Sequence, residues 1–436
     1  MHYFKNSIYY EINELSGARN APPAEITVGG NWHYFNYLLD TEIMEPMQSR
    51  AGRTMPQATG YLAYVPSSLP PDPPVELDPE TISLLSRADQ ALGKLDGIAA
   101  LLPNPDLFVG MYVRKEALLS SQIEGIDSTL DEVIRFEEGQ ESSEGKKFHD
   151  TAEVVNYVRA LNYGIRRLAE LPLCLRLIRE IHAELMRGVR GEGKAPGEFR
   201  VTQNWIGPQE TTLANATFVP PPVPEMTDAL DNFEKFLHER NEHPARAHYP
   251  VVIECALVHA QFETIHPFLD GNGRLGRLLI ALLLHERRAL SQPLLYLSLY
   301  LKGHRLEYYD RLTAVRKKGD WEGWTRFFLT GIEQTALGAL ETAKKIIAFR
   351  EKAIRTASSL GATELKLVEF LFVHPLTDIQ TAQKHLDVSY NTSAGAIAKL
   401  ENTNLVREIT GKQRNRIFRF SAYLELFEEP GSTSSQ

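Results

Sequence analysis

The chain has 436 residues, of which 43% are hydrophobic and 24% are charged, and its formal net charge is -9. This length exceeds one ordinary core and predicts two or three domains, while the composition is that of a soluble globular protein. The acidic balance argues against a general polyanion binder, so any contact with nucleic acid must be local.

The cysteines and the apolar runs indicate the cellular compartment of the protein and whether it is anchored in a membrane. Cys174 and Cys255 lie far apart and show neither metal-ligand spacing nor a Cys-x-x-Cys motif. We therefore expect buried, reduced thiols and a cytoplasmic protein. No basic segment followed by an apolar run opens the sequence, and the longest apolar stretch, residues 278–284, is too short to span a bilayer. The sequence predicts no membrane anchor.

The N-terminal third divides into two segments. Residues 1–52 show no sustained periodicity and are expected to form an extension of unknown role. Residues 53–149 contain a proline-rich stretch at 66–74, which predicts extended chain, followed by a capped helix start at Asp78-Pro79-Glu80. A helical run from about residue 109 then ends near Gly125, a typical helix stop.

The remaining chain predicts a mainly α fold. Residues 150–350 have the spacing of amphipathic helices throughout, apart from residues 197–224, which alternate like two strands and predict a β-hairpin flap. Residues 351–428 show three helices and a hairpin, the outline of a winged helix-turn-helix domain. The tail, residues 429–436, is rich in Ser, Thr and Gly and predicts disorder.

The most informative segment runs from His266 to Arg277 and reads His-Pro-Phe-Leu-Asp-Gly-Asn-Gly-Arg-Leu-Gly-Arg. Its Gly-Asn-Gly run, residues 271–273, precedes a strongly apolar helix. Free backbone N–H groups at a helix N-terminus favour an anion, and glycine lets a phosphate approach the backbone closely. Asp270 is a hard oxygen ligand of the kind that Mg²⁺ takes beside substrate phosphates.

Two arginines and a histidine complete this segment. Arg274 and Arg277 are three residues apart on the helix, so both can reach one bound polyphosphate with forked donors. His266, with an ordinary pKa of about 6.5, is largely neutral at cytosolic pH and can accept a proton from an attacking hydroxyl. No Gly-Lys-Ser/Thr follows the glycines, so this is not a Walker loop. The set indicates attack of a hydroxyl on a metal-bound nucleotide.

These residues match every fixed position of the signature of Fic-domain proteins, H-P-F-x-D/E-G-N-G-R-x-x-R, and the chain resembles that family from about residue 53 to 350. The resemblance implies a helical core that uses Mg²⁺ and transfers AMP from ATP to a Ser, Thr or Tyr hydroxyl of a target protein. It implies His266 as general base and Asp270 as the metal ligand. The other nucleotide-binding residues that it implies are Gly271, Asn272, Gly273, Arg274 and Arg277, with Tyr309 as a candidate for the adenine pocket.

Two further elements follow from the resemblance. Ser120, Glu124 and Gly125 resemble the family's inhibitory motif, S/T-x-x-x-E-G/N, which implies that Glu124 pairs with an arginine of the signature, Arg277, and denies it to the γ-phosphate of ATP. We therefore expect an autoinhibited resting protein. The flap is expected to align the main chain of a target by β-augmentation, with Phe218-Val219 near the incoming hydroxyl.

The C-terminal domain leaves a second class of function open. DNA binding through residues 361–428 would make the chain a transcription regulator with a nucleotide-sensing Fic core, and protein recognition or dimer packing is the competing interpretation. Transfer of another phosphate-containing group, removal of AMP, self-modification and homodimer formation also stay open. The basic residues behind the DNA hypothesis are Lys384, His385, Lys399, Arg407, Lys412, Arg414, Arg416 and Arg419.

Overall fold

The computed structural model describes six ranges of the chain, which form part of one compact unit that begins at residue 46. The expected extension therefore lies outside the described residues except for residues 48–52, and the expected disordered tail lies wholly outside them. The described ranges are residues 48–99, 105–139, 145–190, 193–207, 211–243 and 248–428.

A three-stranded antiparallel sheet precedes the first helix and was not predicted. Its strands are β1 (Gln48–Ser49), β2 (Gly52–Pro56) and β3 (Leu62–Pro66). The first strand has only two residues and the second begins with glycine and ends with proline, so the sequence shows no clear alternation there. The expected boundary at residue 52 falls inside this sheet.

Between the sheet and the expected flap, the described residues form α1 (Pro79–Ala99), α2 (Pro105–Ile123), α3 (Leu130–Glu137), α4 (Lys146–Leu168) and α5 (Leu175–Leu185). The predicted start of α1 is confirmed, because Asp78 Oδ1 accepts a hydrogen bond from the Thr81 N–H at 2.7 Å. The predicted stop of α2 is also confirmed, since Gly125 follows the helix with a φ of +80°.

The core of the molecule is formed by α6 (Val223–Glu242), α7 (Val251–Ile265), α8 (Asn272–Glu286), α9 (Ser298–Gly303), α10 (Arg305–Lys318) and α11 (Trp321–Leu360). Nearly every side chain of α7 and α8 is buried, so this pair forms the centre of the core. The long helix α11 packs along α1, and the expected domain boundary at residue 350 falls inside it. Both cysteines are buried and free, as predicted.

The C-terminal part contains α12 (Ala362–Val373), β4 (Leu376–Thr377), α13 (Ile379–Leu386), α14 (Tyr390–Asn402), β5 (Arg407–Glu408), β6 (Phe418–Arg419) and α15 (Ser421–Leu424), with strand order β4-β6-β5. The helices and the hairpin lie where the pattern predicts them, and the winged-helix assignment stays a prediction. Two of the basic residues have internal partners: Lys399 pairs with Glu364 at 2.7 Å, and Arg419 pairs with Asp131 at 2.9 Å. These pairs weaken the case for a DNA contact.

The segment expected to form a β-hairpin flap has less strand structure than predicted. Its two arms meet in one antiparallel bridge, in which Ile206 and Phe218 exchange hydrogen bonds of 2.8 and 3.1 Å. The arm after the bridge also contacts the N-terminal sheet, because the Tyr64 N–H donates to the Val219 carbonyl at 2.9 Å. No helix in the described part of the chain is long and apolar enough to cross a membrane.

Candidate functional site

The loop between α7 and α8 carries the motif and is bounded by two left-handed residues. His266 ends α7 with a φ of +48°, and its N–H still bonds to the Phe262 carbonyl at 3.0 Å. Gly271 has a φ of +77° and precedes α8, and a Cβ there would lie 2.8 Å from Met186 Sδ. Only glycine fits this position without strain. The first amides of α8, which follow these turns, have no carbonyl partner within the helix.

Asn272 holds this loop closed rather than offering its side chain to a ligand. Its Oδ1 accepts from the Phe268 N–H at 2.9 Å, and its Nδ2 donates to the Phe268 carbonyl at 2.8 Å. Both side-chain polar atoms are therefore used inside the loop, and the residue is buried. Of the predicted anion-binding groups of Asn272, the backbone N–H is the one still available.

A second histidine, which the sequence reading missed, supports the loop from outside the motif. His182 Nδ1 accepts from the Gly197 N–H at 2.8 Å, so the proton lies on Nε2, which donates to the Asp270 carbonyl at 3.0 Å. The ring stacks on Phe268 with centroids 3.8 Å apart. Burial lowers the pKa of His182 to about 4, which keeps it neutral in this role.

His266, the predicted general base, is also held neutral. Burial first, and then the positive charges of Arg316 and Arg200, lower its pKa to about 4. Its carbonyl accepts from Arg200 Nε at 3.1 Å and from Asn204 Nδ2 at 3.2 Å, which fixes the main chain. Its Nδ1 makes no well-formed hydrogen bond within the described residues. A neutral imidazole suits a proton acceptor.

Arg274, predicted to bind phosphate, has a buried protein partner. Its Nη1 donates to Glu153 Oε2 at 2.7 Å, and the side chains of the two residues are 5% and 4% exposed. The other Glu153 oxygen accepts from Arg190 Nε at 2.7 Å, and Arg190 also pairs with Asp150 at 2.6 Å. This network of two arginines and two carboxylates fixes the first turn of α8 against α4.

Arg277 is held by the last turn of α2. Its Nε donates to Ser120 Oγ at 2.8 Å, and its Nη2 contacts both the Ser120 carbonyl at 3.1 Å and Glu124 Oε1 at 2.6 Å. Burial opposes ionisation of the Glu124 carboxyl, but the guanidinium outweighs it and lowers the pKa of Glu124. A Cβ on Gly273 would lie 2.4 Å from Glu124 Oε1. The carboxylate thus occupies the space over the glycine that the sequence reading assigned to an anion.

Asp270 is the predicted metal ligand. Its Oδ1 accepts from the Gly271 N–H at 2.8 Å, and its Oδ2 pairs with Lys194 Nζ at 3.0 Å. Over the ranges that the structure covers, no group of three or more His, Cys, Asp or Glu could hold a metal ion. The side chain is 38% exposed, so it offers one accessible hard carboxylate. Such a donor fits Mg²⁺ that is shared with the phosphates of a nucleotide.

Tyr309, the candidate for the adenine pocket, lies partly exposed on α10. Its side chain is 40% exposed, and the Arg305 guanidinium lies 5.8 Å from its ring centroid. Burial and then the negative charge of Glu124 raise the pKa of Tyr309, which places its hydroxyl within electrostatic reach of the Glu124–Arg277 pair. The assignment of Tyr309 to an adenine pocket stays a prediction.

The two flap residues singled out in the sequence are both engaged within the chain. Phe218 lies under the Arg316 guanidinium, 3.9 Å from its ring centroid. Val219 is buried, and its carbonyl accepts the hydrogen bond from Tyr64 on β3. The expected β-augmentation would have to use another main-chain group of the flap or displace β3.

Two family models match the chain in the region that carries this site. Residues 82–166 match the model of the Fic/DOC family N-terminal segment, and residues 172–284 match the model of the Fic/DOC family. The second match contains the whole motif from His266 to Arg277. Residues 82–166 and 172–284 are therefore similar to the Fic/DOC family.

Curated relatives that match the chain include proteins named "Protein adenylyltransferase Fic". The protein from Aedes aegypti is 32% identical over 216 residues, or 49% of this chain and 39% of the relative. The protein from Culex quinquefasciatus is 29% identical over 269 residues, or 59% of this chain and 47% of the relative. The chain thus spans less than half the length of these two relatives. A solved Fic family protein from Desulfovibrio desulfuricans G20 matches with a TM-score of 0.49 and 16% identity, over 79% of this chain and 97% of that one.

Proposed function

We propose that the protein is an adenylyltransferase that moves AMP from ATP to a Ser, Thr or Tyr hydroxyl of a target protein. The observation that carries the proposal is the Glu124 carboxylate, which lies against Gly273 and pairs with Arg277 at 2.6 Å. A carboxylate in that position supports an anion site at the start of α8. His266, neutral and next to that site, supplies the base that a phosphoryl-group transfer needs.

The proposed reaction uses these residues as follows. Neutral His266 takes the proton of the target hydroxyl while the hydroxyl oxygen bonds to the α-phosphorus of ATP. The bond from the α-phosphorus to the bridging oxygen breaks, and pyrophosphate leaves with that electron pair. The first amides of α8 and the Arg277 guanidinium stabilise the phosphate charge. Mg²⁺, held by Asp270 and the phosphates, would neutralise part of the charge on the leaving group.

Autoinhibition is the second part of the proposal. Arg277 is 2% exposed and reaches both Ser120 on α2 and Glu124, the residue that follows this helix. A γ-phosphate can use this guanidinium only after the Glu124 carboxylate has left it. ATP that binds without this contact would present its α-phosphate wrongly to the hydroxyl. Glu124 would therefore act as the brake on the site.

The test is the full-length Glu124→Gly protein, incubated with Mg²⁺, ATP and a cell lysate and read by mass spectrometry. Loss of one charge-assisted contact on Arg277 is expected to raise AMP transfer by about 10- to 100-fold over the wild type. The modified peptides would identify the target and the acceptor residue. The control is Glu124→Gly combined with His266→Ala, which should show no transfer. A Glu124→Gly protein that transfers no AMP, or whose transfer survives loss of His266, would contradict the proposal.

A further inference from the structure

Two carboxyl groups lie against the same face of α8, and the mechanism above uses only one of them. A Cβ on Gly273 would lie 2.4 Å from Glu124 Oε1, and a Cβ on Gly276 would lie 2.5 Å from Glu263 Oε1. Residues three apart on a helix are neighbours on its surface. The Glu263 carboxyl therefore lies about one helical turn from the place where the Glu124 carboxylate now sits.

Glu263 is unusual because its carboxyl is buried without a full set of partners. The residue is 7% exposed, and its Oε1 has no hydrogen-bond partner within the described ranges. Such buried oxygens are rare, and each removes stability from the free protein. Burial also raises the pKa of Glu263 to about 7. Because this unpaired oxygen lies near a candidate site, a ligand that donates a hydrogen bond to it would remove the loss of stability.

The surroundings of Glu263 include groups of both α8 and α10. On α8, the Arg277 charge acts on the Glu263 carboxyl. On α10, Arg316 donates from Nη2 to the Glu263 carbonyl at 3.2 Å. The same helix carries Tyr308, whose pKa is raised by burial and then by the Glu263 charge, and Tyr309, the adenine-pocket candidate. Glu263 is therefore close to the phosphate-binding candidate Arg277 and to the helix that carries Tyr309.

We propose that Glu263 binds the nucleoside part of ATP, with Oε1 accepting a hydrogen bond from a ribose hydroxyl or from the exocyclic amine of the base. The inference rests on the proposed nucleotide site. A carboxylate accepts hydrogen bonds and repels other anions, so the phosphates are unsuitable partners for this oxygen. The hydroxyls and the amine are the donors that ATP carries.

The experiment is calorimetric titration of full-length Glu124→Gly protein with ATP and Mg²⁺, with and without a second substitution. Glu263→Met has a similar length and no acceptor, and it should weaken ATP binding about 5- to 10-fold. Because it removes an unsatisfied buried oxygen, it should also raise the Tm of the free protein by about 2 °C. Glu263→Gln keeps an acceptor and should bind ATP within about twofold of the parent.

The matched control is Glu116, a second buried carboxyl near Arg277. Burial also raises the pKa of Glu116 to about 7. Unlike Glu263, it is satisfied: Oε2 accepts from the Ser298 N–H at 3.1 Å, and Oε1 accepts from the Tyr157 hydroxyl at 3.3 Å. Glu116→Met should therefore lower the Tm, the opposite sign to Glu263→Met. A Glu263→Met protein that loses stability as Glu116→Met does would contradict the proposal.

Three analogues identify the donor: 2′-deoxyATP, 3′-deoxyATP and inosine triphosphate, which lacks the amine. The parent should bind one of them about fivefold more weakly than ATP, and Glu263→Met should lose that difference. If AMP transfer is present, two results would overturn the inference about Glu263 but not the proposed reaction. One is an unchanged affinity of Glu263→Met for ATP. The other is a ratio of analogue affinity to ATP affinity that equals that of the parent. Binding that depends on Glu263 without any AMP transfer would overturn the proposed reaction alone.

Discussion

The two arginines of the motif lie three residues apart on α8 and have partners of opposite kinds. Arg274 pairs with Glu153, and both side chains are at most 5% exposed. Arg277 is just as buried, but its partner Glu124 is 37% exposed and lies where α2 ends. Breaking the first pair leaves two charges in the protein interior, whereas breaking the second returns one of them to water.

This difference separates a fixed side of the site from an exchangeable one. On the fixed side, Glu153 is held by a second arginine, Arg190, so its position does not depend on a ligand. On the exchangeable side, Arg277 keeps its two contacts to Ser120 and lacks only an anion once Glu124 leaves. A nucleotide phosphate can supply that anion. A substrate can therefore replace the contact of Glu124 with Arg277.

The largest effect is expected from a substitution that breaks the ion pair on the fixed side of the site. Glu153→Gln removes a charge between two arginines and leaves the buried Arg274 without its counter-ion. The free energy of unfolding should fall by about 3–5 kcal/mol, measured by denaturant unfolding of the full-length protein. Glu124→Gln is the matched control on the exchangeable side and should lose less than half as much. Equal losses in the two variants would remove the distinction between the sides.

A smaller effect concerns pH. Because the pKa of His266 is lowered to about 4, the imidazole stays neutral at any pH well above that value. At saturating ATP, AMP transfer by Glu124→Gly should therefore change less than about twofold between pH 8 and pH 6, and fall only as the pH approaches 4. The measurement is the initial rate of transfer from labelled ATP across that range. A fall centred near the ordinary histidine pKa, about 6.5, would show that His266 is not desolvated in the working site.

Sequence reasoning was most successful where the information is local. The helix spacing, the Asp78 cap and the stop at Gly125 are set by nearby residues, and the structure bears them out. The motif is one continuous segment, so its residue types and spacing could suggest a nucleotide site, and the family resemblance implied the individual roles. The pairing of Glu124 with Arg277 spans 153 residues and was suggested only by the family resemblance.

The parts that sequence reasoning missed depend on contacts between distant segments. Glu153, which holds Arg274, is 121 residues away from it and looks like any glutamate on an amphipathic helix. His182 and the N-terminal sheet were missed for the same reason, because pairing of short strands and ring stacking leave no periodic signal. Glu263 lies three residues before His266, and only its burial without a partner marks it.

Glu124 is expected to restrain transfer through Arg277, and a double-mutant cycle tests this most directly. AMP transfer from labelled ATP is measured for the wild type, Glu124→Gly, Arg277→Ala and the double variant. Glu124→Gly should raise the rate at least about tenfold when Arg277 is present, and by less than about twofold when it is absent. Equal activation in both backgrounds would contradict the claim that the two residues compete for one phosphate.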